Sequence, residues 1–354
     1  MKKSIISFAA LLLGLTFMSS RDGGLTTQQN KRTIYAGIAF YNQENLFDTI
    51  DDPEKNDQDF TPSGSYHWNQ MKYEHKLANM SKVLSQLCTD RVKGGAAFIG
   101  LSEVENAHVL QDLVSQPALK EKGFQYIHYE GDDARGIDVA AIYNPRMFHL
   151  KKSELISVTE EYKAFSGGHI TRGILHAEGN MLGENFHFLV NHWPSRGAAS
   201  PSREFMGRKV RQVVDSIYKV EPKAKIVIMG DLNDDPDNKS VTEALGAILN
   251  KKKVKAGSTE LYNPWNDVLR KEGKGTLLYD GMWNLFDQII ISANMLGDDR
   301  GDFKFFKNEI FRPEWLTTKD GKYVGSPLRT TSGGVWQDGY SDHFPTQIYL
   351  VKEM

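Results

Sequence analysis

Residues 226–235, Ile-Val-Ile-Met-Gly-Asp-Leu-Asn-Asp-Asp, begin as an apolar run and end in three carboxylates and an amide. Ile226 to Met229 read as a buried strand, Gly230 as the point where the backbone turns, and Asp231 and Asn233 as side chains delivered to the strand's end. Asp234 and Asp235 read as the turn that follows. Similar apolar runs, rich in β-branched and aromatic residues, recur at 33–42 (TIYAGIAFYN), 96–104 (AAFIGLSEV), 124–129 (FQYIHY), 137–144 (IDVAAIYN), 186–193 (FHFLVNHW), 285–292 (LFDQIIIS) and 346–351 (TQIYLV). Strands at this density imply one large sheet or two.

Two segments interrupt the strands with helical spacing. Met71 to Cys88 carries Leu77, Met80, Val83, Leu84 and Leu87 on one stripe. Arg203 to Val220, with Ser202 as its expected N-cap, buries Phe205, Met206, Val210, Val213, Val214 and Ile217. The segments 51–66, 250–275 and 301–337 are polar or glycine-rich and read as long surface loops. No Pro or Gly/Ser-rich linker divides residues 33–354, so they read as a single α/β catalytic domain.

The first twenty residues, MKKSIISFAALLLGLTFMSS, pair Lys2 and Lys3 with an apolar run and small residues at its end, the pattern of a signal peptide for export to the periplasm or medium. Residues 21–32 then form a polar N-terminal tail. The apolar run is too short to span a membrane, so no stable membrane anchor is expected. Cys88 is the single cysteine, which excludes an intramolecular disulfide and a cysteine-based zinc cluster. Lys and Arg number 43 against 45 Asp and Glu, so no global basic field advertises tight nucleic-acid binding.

The strands share one peculiarity: they end in residues suited to metal or proton chemistry. These are Asn42 and Asn45 in YNQEN, Glu103 in GLSEVEN, His192 in VNHWPSR, Asp231 and Asn233 in GDLN, and Asp342 with His343 in YSDHFP. Singly, each has an ordinary explanation as a solvated acid, an Asx turn or a surface pair. Hard cations such as Mg²⁺ prefer carboxylate and amide oxygens, which suits Glu103 aided by Asn42. His343 can exchange a proton near neutral pH. Asp287, followed by an apolar run, needs a buried partner.

In their order along the chain, YNQENLFD, GLSEVEN, RGIDVAAIYNP, VNHWPSR, IVIMGDLNDDP, LFDQIIIS and YSDHFP resemble the endonuclease/exonuclease/phosphatase family, which includes deoxyribonuclease I, exonuclease III and neutral sphingomyelinases. The resemblance implies a two-sheet β-sandwich flanked by helices, a four-layer α/β/β/α arrangement. It implies metal-dependent phosphoester hydrolysis, with Asn42 and Glu103 on Mg²⁺ (Mn²⁺ or Ca²⁺ as alternatives) and Asp342 nearby. It assigns Asp231 to activating water, Asn233 to holding the phosphate or the aspartate in place, Asp287 to orienting His343, and His192 and His343 to the scissile phosphate as a pair of unassigned order. Arg135 is a phosphate-binding candidate, its alternative a salt bridge to Asp132, Asp133 or Asp138.

A monomeric nuclease or phosphodiesterase acting transiently on nucleic acid or nucleotides is the leading expectation. A sphingomyelinase-like or inositol-phosphate activity is the alternative; the aromatic stretch Phe303 to Phe306 (FKFF) keeps the lipid option open, while GDLNDDP and LFDQ weaken the inositol-phosphate one. A noncatalytic binding protein of the same fold is disfavoured, because every expected chemical position carries a competent side chain.

Overall fold

The computed structural model describes residues 32–279 and 281–354; the expected leader and tail lie outside the described residues, apart from Arg32. In chain order the strands are β1 (Thr33–Leu46), β2 (Phe98–Val104), β3 (Gln125–Ile127), β4 (Asp138–Tyr143), β5 (His149–Ile156), β6 (Ile174–Met181), β7 (Glu184–His192) and β8 (Lys225–Asp231). They continue as β9 (Ala247–Ile248), β10 (Leu261–Tyr262), β11 (Leu277–Tyr279), β12 (Met282–Asn284), β13 (Asp287–Ser292), β14 (Lys304–Ile310), β15 (Thr331–Ser332), β16 (Val335–Trp336) and β17 (Thr346–Glu353). The helices are α1 (Gln70–Gln86), α2 (Ala107–Ser115), α3 (Pro117–Lys120), α4 (Thr159–Ser166), α5 (Ser200–Val220) and α6 (Asn266–Arg270).

Two mixed sheets carry the fold. One has six strands in the order β14-β17-β1-β2-β4-β3 and the other seven in the order β5-β6-β7-β8-β13-β10-β9. Their facing sides meet in one core, where Phe98 of β2 stacks on Phe188 of β7 at 4.0 Å between ring centroids. The outer face of the first sheet is covered by α1 and α2 through Leu77, Met80, Leu84, Val109 and Leu113. The outer face of the second is covered by α5 through Met206, Val210, Val214 and Ile217. This is the helix-flanked sandwich that the family resemblance implied, and in it each sheet buries both faces.

Several boundaries differ from the sequence reading, each for a local reason. Helix α5 begins at Ser200, with Ala199 at the N-cap and no side-chain cap, so Ser202 sits inside its first turn. The expected loop at 301–337 contains β14, which closes the edge of the six-stranded sheet on β17. The FKFF stretch lies on that edge: Phe303 is buried, Phe305 packs on the core, and Phe306 leans edge-to-face on Tyr35. Strands β5 and β6 escaped the sequence reading because β5 is an exposed lysine-rich edge and β6 carries His176, Glu178 and Gly179.

Gly230 is inside β8, not at a turn, and its lack of a side chain serves β7: a Cβ there would stand 2.2 Å from the carbonyl oxygen of Asn191. Backbone cannot retreat as a flexible side chain can. Gly230→Ala is therefore expected to lower stability by about 3 kcal/mol, read as a reduced urea midpoint at unchanged slope.

Candidate active site

The strand ends converge where the two sheets open. Asn42 and Glu103 arrive on neighbouring parallel strands of one sheet, and His192, Asp231 and Asp287 on three adjacent strands of the other. Pairing of His192 with Asp231 and of Asp231 with Asp287 places these residues side by side across the ladder. His343 comes from the turn before β17.

Irregular backbone aims the first two. The β1–β2 register shifts between Asn42 and Leu46, and the β2–β4 register shifts between Ser102 and Val104. Glu44, Asn45, Glu103 and Asn233 all have left-handed φ angles of 45°, 56°, 60° and 51°. A non-glycine residue held there costs about 1–3 kcal/mol, so packing enforces the geometry.

Asn42 Nδ2 bridges two acids, standing 3.3 Å from Glu103 Oε1 and 3.1 Å from Asp231 Oδ2, while its Oδ1 accepts the Glu44 N–H at 2.8 Å. The amide thus presents nitrogen, not oxygen, to the cluster, so acting as an oxygen ligand requires it to turn over and release Glu44. Glu103 Oε2 accepts the Asn45 N–H at 3.0 Å. His192 Nε2 lies 3.9 Å from Glu103 Oε1 and 3.7 Å from Asp231 Oδ2, and its Nδ1 is buried without a partner. A buried unpaired N–H is costly, so the neutral ring carries its proton on Nε2, facing the acids.

His343 Nδ1 donates to Asp287 Oδ2 at 2.6 Å, and its Nε2 is 3.9 Å from Asp231 Oδ2. The two histidines are pushed in opposite directions. Burial, reinforced by the charges of Arg172, Arg135 and His343, holds His192 well below the usual imidazole range. Burial also opposes charge on His343, but Asp287, Asp342 and Asp231 outweigh it and hold the imidazolium well above that range. Burial, with Asp287 and Glu103 adding to it against the relief from His343, pushes the Asp231 carboxyl up to about 7.

The other expected residues are more peripheral. Asn233 Nδ2 donates to Trp193 O at 3.0 Å, and its N–H caps Asp231 Oδ1 at 2.9 Å. Asp342 Oδ1 is 4.0 Å from His343 Nε2, while its Oδ2 accepts from Arg329 at 3.0 Å. Arg135, with its side chain about half exposed, has Nε 3.7 Å from Asp133 Oδ1, which is the ion-pair alternative, though its charge still reaches His192. Asp234 is tied to Arg203 and Ser240, and Asp235 to the Leu285 N–H, so both brace loops.

Four supporting residues were not legible in the sequence. Arg172 donates to Asp133 at 2.6 Å and to the carbonyls of His192 and Trp193 at 3.0 and 2.9 Å, fixing the loop after β7. Glu44 and Arg329 join the Asn42 wall to Asp342. Lys76, fully buried on α1, reaches Tyr340 O at 2.6 Å. Only Glu44, beside the strand-end amides, had any local signal.

Glu103 and Asp231 are joined by the Asn42 amide nitrogen, and with that amide turned over the two carboxylates and its carbonyl oxygen would form an all-oxygen donor set. The donor set fits a hard divalent ion. Asp231, Asp287 and His343 also lie close enough to share an ion, but Asp287 and His343 Nδ1 already satisfy one another.

The two-sheet sandwich thus gathers acids, an amide and two histidines at one mouth. The chain belongs to the endonuclease/exonuclease/phosphatase family, whose model matches residues 37–352. No curated protein matches it. Among solved structures it is similar to a Bacteroides thetaiotaomicron mannosyl-6-phosphatase, at 16% identity over 89% of this chain and 99% of that one, with a TM-score of 0.54. It is also similar to a humanized D. rerio TDP2 (12% identity, 89% and 98% covered, TM-score 0.53) and to the human Nocturnin catalytic domain with bound sulfate (14%, 92% and 98%, 0.52). These likenesses establish the shared fold.

Proposed function

We propose that the protein hydrolyses phosphoesters with the aid of a divalent cation, Mg²⁺ or Mn²⁺, acting as a phosphodiesterase on nucleic acid or nucleotides. The observation that carries this reading is the convergence of Glu103, Asp231, His192 and the Asp287-held His343 from both sheets. The cation, held by Glu103 and by Asn42 with its amide turned, would neutralise charge on the phosphate oxygens.

The chain's own residues divide the proton work. Asp231, with its carboxyl raised to about 7, is ionised above neutral pH and basic enough to take a proton from the attacking water as the new P–O bond forms. His343, charged and locked by Asp287, stabilises the anionic transition state and supplies the proton that the leaving oxygen requires. His192, neutral, offers Nε2–H to a phosphate oxygen, and Asn233 keeps Asp231 in place through its N–H. The structure of D. rerio TDP2 with a single-strand DNA product supports a nucleic-acid substrate by analogy, and the mannosyl-6-phosphatase supports a sugar phosphate. Phe303 is buried and Phe305 partly so, which counts against the lipid alternative, while Phe306 stays exposed. No described helix is long and apolar enough to cross a membrane. Export is part of this proposal and rests on the leader pattern alone; the N-terminus of the protein recovered from cells, read by mass spectrometry, tests it.

Purified protein is expected to hydrolyse bis-p-nitrophenyl phosphate with Mg²⁺ or Mn²⁺ and to stop in EDTA. Saturating Mg²⁺ at about 100 times its Kd should add roughly 2.7 kcal/mol of stability to the wild type. In Glu103→Ala that gain should vanish in thermal unfolding. An equal Mg²⁺ shift in both proteins would sink the metal assignment.

A further inference from the structure

We propose that the cavity between α4 and the start of α5 binds a second anionic group, a phosphate, carried by the same substrate whose scissile phosphoester lies at His192. This rests on the phosphoesterase reading and adds a recognition site to it. The cavity measures about 560 Å³. It begins where the reaction centre ends: Pro194 and Ser195 in its wall directly follow His192 and Trp193, and Arg135 stands in the same lining.

The wall is built for an anion. Ser166, His169, Thr171, Ser195 and Ser202 line it, and no Asp or Glu is among its lining residues. Arg135 and Arg172 also contribute, and the single carboxylate of Asp133 between them leaves a positive excess. Helix α5 is 21 residues long, has no side-chain cap, and turns its first residues toward the cavity at Ala199 and Ser202, adding the positive end of its dipole. A separate observation points the same way: Thr171 is 2% exposed, lines the cavity, and its Oγ1 has no hydrogen-bond partner within the protein. Buried hydroxyls are rarely left unpaired, so a ligand oxygen is the missing partner.

Charge also gives the substrate a direction. Gly136, next to Arg135, lines a different cavity walled by Asp48, Asp51, Asp52, Asp57 and Glu105. An anion is repelled from that side and admitted on the other. A sugar ring or a base would call for carboxylates, amides or an open aromatic face; the aromatic ring here, Tyr162, is buried against Phe165 and Phe205.

The second phosphate can come from the next link of a nucleic-acid strand or from the far end of a small bisphosphate, and the test separates them. With Mg²⁺ at pH 7, kcat/KM is compared for thymidylyl-thymidine with and without a 5′-phosphate, and for a hexose 1,6-bisphosphate against the 6-phosphate. The added phosphate is expected to raise kcat/KM about tenfold to a hundredfold in at least one pair, through KM. That ratio should collapse toward one in His169→Ala and in Thr171→Val, the second of which removes only an unpaired hydroxyl. Inorganic phosphate titrated calorimetrically into the protein in EDTA should bind about tenfold more weakly to both variants. A ratio near one for both pairs in the wild type, or one that survives both substitutions, overturns the subsite. Failure on bis-p-nitrophenyl phosphate as well would strike the phosphoesterase reading instead, and the phosphate titration would then decide the subsite alone.

Discussion

Asp231→Asn is expected to cut the turnover of a phosphodiester by at least about 10²-fold, the low end for a positioned general base, and yet to make the metal-free protein more stable at pH 8. The two effects share one cause. Burial, with Asp287 and Glu103 adding to it, raises the Asp231 carboxyl to about 7, whereas in the unfolded chain it has the ordinary value of about 3.9. A group whose native value is raised binds its proton more tightly when folded. Stability therefore falls as pH rises from about 4 to about 7, and the deficit persists above. Asparagine has no charge to bury. Its Oδ1 can keep the Asn233 N–H, but its amide nitrogen would face Asn42 Nδ2, so the net gain should be on the order of 1–2 kcal/mol at pH 8 and near zero at pH 4. Denaturation in EDTA across that range is the measurement. A variant less stable than the wild type at pH 8 would show that Asp231 is not held at the expense of the fold.

Asp287→Asn should be at least as damaging to activity, by about 10³- to 10⁴-fold in kcat, with KM little changed. Asp287 Oδ2 accepts the His343 Nδ1 proton at 2.6 Å, and its other oxygen is buried without a partner. An amide in its place either offers N–H to the ring, flipping the tautomer, or keeps the bond without the charge. Either way the field that keeps His343 protonated weakens, and burial then draws its value down. The sign of the linkage follows. His343 has a raised native value, so its contribution is fully present below about pH 6.5 and is lost as pH climbs through that raised value. The variant should lose stability most at neutral and lower pH, and an NMR titration of the His343 ring should move downward. An unmoved His343 resonance beside an inactive variant would mean that Asp287 acts some other way.

Much of this site was legible because strand-end residues carry a one-dimensional signature: an apolar run must be a buried strand, and a polar cluster directly after it stands at the sheet's rim. Asp231, His192 and Glu103 follow from that rule, and family order joins them to Asp287 and His343. The same rule failed for β5, β6 and β14, whose exposed or polar residues blur the alternation. It misread Gly230, because a close approach to Asn191 leaves no local trace.

The sequence alone therefore determined the alternation of strands with helices and the kinds of side chain at the strand ends, since these are local properties, and the family resemblance carried by its motifs implied the layering. Only the tertiary structure decided how those side chains act. Whether His192 is neutral and His343 charged depends on Arg172, 20 residues away, and Asp287, 56 residues away, as through-space neighbours. Whether Asn42 turns nitrogen or oxygen to the acids depends on the Glu44 backbone in a strained turn. Desolvation and Coulomb interactions fall off with distance in space, not along the chain.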